Sequence, residues 1–340
     1  MEPAPMHEPP YAVVLKMLTG SWVAQAVGAA ARLRLADHVA SGPKPLADIA
    51  GAAGVPAPSA ARLLRTLASL GVFSEPTPGH YGPTPISECL RTGGQNSLRE
   101  LAMAETDAVH WAAWGRFADS VRANAPMAKT ALGMEPWDYY GAHPEDAAIF
   151  SAGMGNLSAI VTPEVLAAYD FSKARTIVDV GGAHGVLVSA ILQAHAGARG
   201  VLLDLPHVIA GAKPALEAAG TAARVELVAG SFFERVPAGG DVYLLKLVLH
   251  DWDDDKATVI LKACAAAMSP AARLLIVELM VPADNRPSPA QLMDLNMLVM
   301  LGGRERTEQE YGRLLAGAGL RLVRAIPTRT PFFVIEAARA

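Results

Sequence analysis

His250 closes the run Leu244-Leu245-Lys246-Leu247-Val248-Leu249, and Asp251-Trp252-Asp253-Asp254 follow it. An imidazole ordinarily has a pKa of about 6.5, so it can accept a proton near neutral pH. The apolar run reads as a buried strand. In open α/β sheets, ligands and catalytic groups sit just beyond the carboxyl ends of such strands, so His250 stands where a general base belongs. Asp251 adjoins it and points to backbone or cofactor rather than to a substrate proton. A second signature is Ile177-Val-Asp-Val-Gly-Gly-Ala-His-Gly185. Gly181 and Gly182 permit tight backbone passage, and Gly185 permits close approach of helix and ligand. Asp179 offers a carboxylate to an amine or a ribose hydroxyl. Asp204 ends the next apolar stretch, where a ribose diol is held in half-Rossmann logic. The absence of G-x-G-x-x-G and of G-x-x-x-x-G-K-[ST] argues against NAD and ATP. The signals together favour another nucleoside-bearing cofactor.

The remaining histidines carry less. His184 lies in the glycine turn, His195 at a polar helix end and His207 after Pro206. None forms H-E-x-x-H or another compact ligand set, so no metal is expected. An imidazole serves better with a carboxylate fixing its tautomer. Glu278 interrupts an apolar strand at its carboxyl end. Glu305 lies in a Gly-opened loop between Arg304 and Arg306, where it reads equally well as a surface carboxylate.

These groups need a scaffold, and the second half of the chain supplies one. Strands are predicted at Thr176–Val180, Gly200–Asp204, Val225–Ala229, Asp241–Leu249, Arg273–Leu279, Leu320–Ile326 and Pro331–Glu336. Helices at Val186–Ala196, Val208–Ala218, Asp254–Ala267 and Glu308–Ala318 lie between them. Such alternation implies a mostly parallel sheet with covered faces. The last two strands, joined near Thr328, should pair antiparallel at an edge.

The first half reads as helical, beginning with one helix over Val13 to His38 that is either core or a dimer interface. A helix over Ala60 to Leu70 sets Leu63, Leu64, Leu67 and Leu70 on one face and ends at Gly71. A short hairpin from Val72-Phe73 to Tyr81-Gly82 completes the outline of a winged helix-turn-helix. Nucleic-acid binding needs a basic footprint. Met1 to Ser120 carries nine Lys/Arg against ten Asp/Glu, so a packing and dimerisation scaffold is expected instead.

Bulk properties agree. At 340 residues, 51% apolar, with net charge -4, the chain reads as a folded protein of two domains. Cys89 and Cys264 are too few for a disulfide framework, which points to the cytoplasm. The N-terminus lacks a signal-peptide pattern. Apolar segments such as Val23 to Ala31 are shorter than a membrane span, so no membrane partner is expected.

Four motifs are specific in combination: Val178-Asp-Val-Gly-Gly-Ala-His-Gly185, Leu203-Asp-Leu-Pro206, Lys246 through Asp254, and Gly302-Gly-Arg-Glu-Arg-Thr307. Through them the chain resembles, over almost its full length, the S-adenosylmethionine-dependent O-methyltransferases of the plant caffeate and hydroxyindole type. Bacterial relatives in that family act on phenazines, anthracyclines and other aromatic natural products. The resemblance implies an α/β fold: a Rossmann-like class I methyltransferase domain at 166–338 with a mostly parallel seven-stranded sheet. A helical winged-helix dimerisation domain at 11–110 and a helical linker at 111–165 would precede it, giving a homodimer. It implies an aromatic hydroxyl acceptor, S-adenosylmethionine as cofactor, S-adenosylhomocysteine as product, and no metal, unlike the small catechol methyltransferases that use magnesium.

Residue roles follow from the same resemblance. Asp179 and Gly181 would lie by the methionine part of the cofactor and Asp204 would take the ribose hydroxyls, with Gly182, Gly185 and Leu205 also among the cofactor contacts. Ser231, where relatives usually carry Asp, and Phe232 would meet the adenine. Lys246, Asp251 and Trp252 would complete the cofactor contacts. His250 would be the base, with Glu305 fixing it and Glu278 assisting. The Met-rich span Met293–Met300 would line the acceptor pocket through Asn296, Met297 and Met300, joined by Trp114, Phe150 and Met154, with Asp294 as a further polar handle. Ala183 stands where relatives have a third glycine. With Ser231, it should soften cofactor affinity without abolishing it. Two alternatives stay open: a cofactor-retaining relative that hydroxylates or decarboxylates an aromatic polyketide, and a winged-helix regulator.

Overall fold

The computed structural model describes residues 9–94, 96–284 and 286–340. Residues up to 111 with 140–157 make one compact unit, and residues 112–139 with 158–340 make a second. The segment 111–165, read from sequence as one linker, is thus shared between the two.

The first unit begins with the helix Pro10–Arg32. Arg34 then turns left-handed at φ 54°, and a short helix follows at Leu35–His38. One continuous helix to His38 is therefore a misreading. The Asp37 carboxylate accepts from the Thr92 backbone and hydroxyl and from Arg34, which anchors the second piece separately. Helices Leu46–Ala53 and Ala57–Ser69 pack with a three-stranded sheet of β1 (Lys44–Pro45), β2 (Ser74–Thr77) and β3 (His80–Gly82), in order β1-β3-β2. Ile49, Leu64, Leu67, Phe73 and Tyr81 form its core. Pro10–Arg32 and Pro144–Ala168 are long and apolar enough to cross a membrane, at mean hydropathy 1.3 and 1.2. Lys16 and the Thr19-Gly20-Ser21 step interrupt the first run in sequence without ending its helix.

The second unit is built on a seven-stranded sheet. Its strands are β4 (Thr176–Val180), β5 (Arg199–Asp204), β6 (Val225–Ala229), β7 (Val242–Lys246), β8 (Arg273–Leu279), β9 (Leu320–Pro327) and β10 (Phe332–Arg339). The order is β6-β5-β4-β7-β8-β10-β9, parallel through β8, with β10 antiparallel to both its neighbours. The antiparallel pair at the edge is as expected, with β10 on the inside. Chain order runs away from β4 on both sides, so the β4/β7 crevice is the topological switch point where ligands bind. Val178, Val180, Tyr243, Leu245, Leu274 and Ile276 are buried on one core with the helix Asp254–Ala267.

The opening motif is the largest departure from expectation. β7 stops at Lys246 rather than running to Leu249. Leu247 N–H makes a last bond to Val277 O, Leu247 itself turns to φ 54°, and Leu249–Asp251 form a single 3-10 turn. A carboxylate explains the break. Glu278 Oε1 accepts from the N–H groups of Val248 (3.2 Å), Leu249 (2.7 Å) and His250 (3.1 Å), replacing the ladder with one acceptor.

Candidate active site

The turn Val248–Trp252 carries the candidate base. His250 is 6% exposed, and its Nδ1 lies 2.7 Å from Glu305 Oε1. That contact puts the Nδ1 proton on the Glu305 side and leaves Nε2 as the proton-accepting atom. Nε2 lies 3.5 Å from Asp251 Oδ1. Burial pulls the imidazole pKa down. The Glu305 hydrogen bond and the charges of Asp251, Glu305 and Glu278 outweigh it, and the pKa rises to about 9. Burial raises the Asp251 carboxyl to about 6 despite the imidazole beside it.

Glu278 does not reach the ring. Besides the three backbone donors on Oε1, its Oε2 accepts from the Tyr311 hydroxyl, and both side chains are fully buried. It acts on the path of the chain, which is a different kind of assistance from the one expected. Asp294 also braces the base's carboxylate: its Oδ1 accepts the Glu305 N–H at 2.9 Å.

On the opposite side of the turn, the loop after Met300 supplies donors. Arg304 N–H reaches His250 O at 2.9 Å. Arg306, only 1% exposed, reaches Leu249 O at 3.1 Å and Trp252 O at 2.9 Å. Sequence reasoning named Gly303 and Arg306 only as members of the Gly302–Thr307 motif, without a role, and missed Tyr311. A charged Arg between Glu and Thr reads as surface. Only the fact that Thr307 caps the next helix, with Glu310 completing the box, hints that Arg306 is held inward.

Residues expected to meet the cofactor lie at the ends of β4, β5 and β7. Asp179 is 1% exposed, and its Oδ2 has no hydrogen-bond partner among the described residues. Burial lifts its pKa to about 6 against the pull of the Lys246 charge. A lone buried carboxylate oxygen is costly, and a ligand donor would satisfy it. Gly182 must be glycine, because a Cβ there would collide with the Asp179 carboxyl. Gly181 at φ 69° faces Val248 and Phe232, and Gly185 at φ 76° faces Leu216 and Leu202. Asp204 Oδ2 accepts from Ala183 N–H (2.8 Å) and Oδ1 from Leu205 N–H (2.7 Å), so it braces the glycine turn. Leu205 is 43% exposed beside it. Lys246 Nζ donates to Ser158 Oγ at 2.8 Å, and burial lowers its pKa although Asp179 opposes the shift. Ser231 Oγ accepts from Phe233 N–H at 3.2 Å. The rings of Phe232 and Phe233 stand edge-on to Trp252 at 6.3 and 4.8 Å, and buried Trp252 Nε1 lacks an acceptor among the described residues. Orphaned Asp179 Oδ2 and Trp252 Nε1, with glycines that leave no room for a Cβ, fit a polar nucleoside ligand.

Ala183 sits at φ 51°, in the left-handed region that glycine adopts at no steric cost and alanine only under strain. The methyl group costs roughly 1 kcal/mol of backbone strain. Ala183→Gly should therefore raise the unfolding free energy by about 0.5–1 kcal/mol. Urea unfolding measures it, and a lower midpoint in the variant would contradict the strain.

Of the expected acceptor residues, Trp114, Asn296, Met297 and Met300 lie in the second unit. Trp114 Nε1 donates to Asn296 Oδ1 at 2.9 Å, and Met297 and Met300 are buried. The indole N–H is donor-only, so Asn296 turns its amide N–H groups the other way, one of them to Met293 Sδ at 3.8 Å. Phe150 and Met154 belong to the first unit, on Pro144–Ala168, where Phe150 stacks on Tyr140 with centroids 4.7 Å apart.

Comparison with known proteins adds identity to this geometry. An O-methyltransferase domain family matches residues 114–321, and an O-methyltransferase dimerisation domain family matches residues 15–93. The phenazine O-methyltransferase PhzM of Lysobacter antibioticus is 41% identical, over 96% of this chain and 95% of that protein. The crystal structure of LaPhzM superposes with a TM-score of 0.92 at 40% identity, covering 98% of this chain and 100% of that one. NcsB1, an O-methyltransferase from neocarzinostatin biosynthesis solved with S-adenosylmethionine and 2-hydroxy-5-methyl naphthoic acid, gives a TM-score of 0.79 at 36% identity, covering 94% and 96%.

Proposed function

The chain belongs to the S-adenosylmethionine-dependent O-methyltransferase family, and from that premise we propose that it methylates a hydroxyl of an aromatic small molecule with His250 as general base. The observation that carries the reading is the Glu305–His250 pair at 2.7 Å, which leaves Nε2 to receive the acceptor's proton. S-adenosylmethionine, when bound, supplies a methyl group on a positively charged sulfur. Asp179 Oδ2 offers a carboxylate oxygen to the cofactor's donors. Gly181, Gly182 and Gly185 let the backbone approach it, and Asp204 with Leu205 receives the ribose. Ser231, Phe232 and Trp252 take the adenine, with the Trp252 N–H as a donor. Lys246 and Asp251 flank the same space with their charges.

A phenol has an ordinary pKa of roughly 10, so its oxygen attacks effectively only as the proton leaves. His250 Nε2 takes that proton, and Glu305 stabilises the resulting imidazolium through Nδ1. Asn296, held by Trp114, with Met297 and Met300, forms an adaptable apolar wall with one polar handle for a flat ring. Aromatic acceptors in the names of relatives, a phenazine and a hydroxynaphthoic acid, support the class. Because an imidazole–carboxylate pair handles the proton, the reaction needs no divalent metal and should run unchanged in EDTA. The apolar residues of Pro10–Arg32 left exposed, Trp22 at 71% and Met17 at 74% among them, support a homodimer through the dimerisation domain.

Incubation with labelled S-adenosylmethionine and a panel of hydroxyphenazines, hydroxynaphthoates and simple phenols tests the reading. Cofactor binding without label transfer to any of them would favour the hydroxylase or decarboxylase alternative.

The pH dependence follows from the carboxylates around the base. Only neutral His250 can accept a proton, and its raised pKa keeps it protonated at neutral pH. The logarithm of kcat/KM should therefore climb with pH and level near the pKa of about 9. Removing the hydrogen-bonded charge in Glu305→Gln should move the climb to lower pH. A plateau already reached at pH 7 in the unmodified enzyme would contradict this.

A further inference from the structure

We propose that Arg306 is the positioning residue of the transfer reaction: its guanidinium spans the carbonyls on either side of His250 and Asp251 and so fixes the base relative to the ring of Trp252. The inference rests on the role proposed above for His250.

The turn cannot hold itself. β7 ends at Lys246, the helix Asp254–Ala267 has not begun, and the turn's own bonds, Asp251 N–H to Val248 O and Trp252 N–H to Leu249 O, are long at 3.3 and 3.2 Å. Glu278 gathers the N–H groups of Val248, Leu249 and His250 on one side, and none beyond. The carbonyl side falls to the loop after Gly303. There Arg306 Nη1 donates to Leu249 O at 3.1 Å and Nη2 to Trp252 O at 2.9 Å. Its Nε donates to Asp254 Oδ1 at 2.9 Å, which ties the fork to the start of the following helix. One planar group thus sets the spacing between two carbonyls that bracket the base. Its own position is fixed by parallel pairing of its segment with Met280 and by Val281 N–H to Arg306 O at 3.0 Å.

Only arginine has this geometry. Its donors sit in a rigid plane, whereas a lysine ammonium is a point charge on a flexible stem. Lysine at 306 could keep the Asp254 pair but could not span both carbonyls. A displacement of about 1 Å in a reacting group can cost about 100-fold in rate.

Arg306→Lys and Arg306→Ala are compared with the unmodified enzyme on an acceptor that the latter methylates. An inactive parent would then count against the proposed function, and an active variant against this inference alone. Arg306→Lys should stay folded and weaken S-adenosylhomocysteine binding by no more than about tenfold, through the Trp252 carbonyl it also holds, while kcat falls about 100-fold and the acceptor KM stays within about threefold. The pH at which the rate levels should not move, because the ring's own partners are untouched. Ethylguanidinium added to Arg306→Ala should restore at least about tenfold of the lost rate. Near-parental kcat in Arg306→Lys would overturn the inference. So would loss of folding or of S-adenosylhomocysteine binding in step with kcat, since Arg306 would then serve folding generally.

Discussion

Replacing His250 by alanine should lower kcat by about 10²–10⁴-fold, the usual worth of a positioned acid–base group, while S-adenosylhomocysteine binding stays nearly intact. Asp179, Asp204 and Lys246, proposed to hold the cofactor, sit on strands. His250 instead shares the turn after β7 with Asp251 and Trp252, whose backbone the substitution leaves in place, so the two effects should separate. Asp179 is carried by β4, Asp204 by β5 and Lys246 by the last position of β7. His250 lies beyond the break in the chain, and its ring is engaged by Glu305 and Asp251 rather than by any of them. Its backbone N–H and carbonyl, which hold the turn, survive the substitution. The cost to stability is harder on Glu305, whose Oε2 already lacks a partner. Removing the imidazole leaves the other oxygen stranded too, and a buried carboxylate without a donor takes up a proton. Comparing kcat with the dissociation constant by calorimetry decides the matter. An equal fall in both would make His250 a structural residue.

The readable parts of the chain were those where one local signal and one global one agree. Thr176–Val180 and Arg273–Leu279 are strands at the predicted residues, because apolar runs bounded by turns have few alternatives inside a covered sheet, and Val225–Ala229 is a strand as predicted at the sheet's edge. Asp179 and the glycines were legible for a similar reason: a carboxylate followed by a Gly-rich turn at a strand end has few structural uses. What stayed hidden depends on contacts between distant segments. Nothing in Leu244–Leu249 says that the strand breaks at Leu247. The cause is Glu278 on the neighbouring strand, whose carboxylate takes three N–H groups from the turn. Arg306 and Tyr311 were hidden likewise, since a buried arginine is recognisable only from the carbonyls it faces. Asp294 and Asp204 show the intermediate case. Their neighbourhood was read correctly, yet each spends oxygen on backbone N–H groups that no sequence pattern displays.

Gly303→Ala should be as damaging as loss of the base, through sterics alone. A Cβ on Gly303 would fall onto the His250 carbonyl oxygen and the Asp251 carbonyl carbon, and within 2.7 Å of Trp252 N. These are backbone atoms, so no side chain can rotate away. The turn is also clamped on both sides, by Glu278 on its N–H groups and by Arg306 on its carbonyls. Either the turn moves, with the imidazole and the indole it carries, or the loop moves and Arg304 N–H loses His250 O. Overpacking of this kind costs about 1–3 kcal/mol, and a shift of about 1 Å at the base adds about 100-fold in kcat. Gly302 next to it provides the contrast. There the backbone is left-handed at φ 77°, but a Cβ would meet only the Pro126 ring, at 3.1 Å. Gly302→Ala should therefore lose roughly 1 kcal/mol from backbone strain and keep most of its turnover. Urea unfolding and steady-state kinetics on the two variants separate the cases. Turnover in Gly303→Ala equal to that in Gly302→Ala would mean that the turn tolerates displacement, and that its close contact with the 302–307 loop does not position the base.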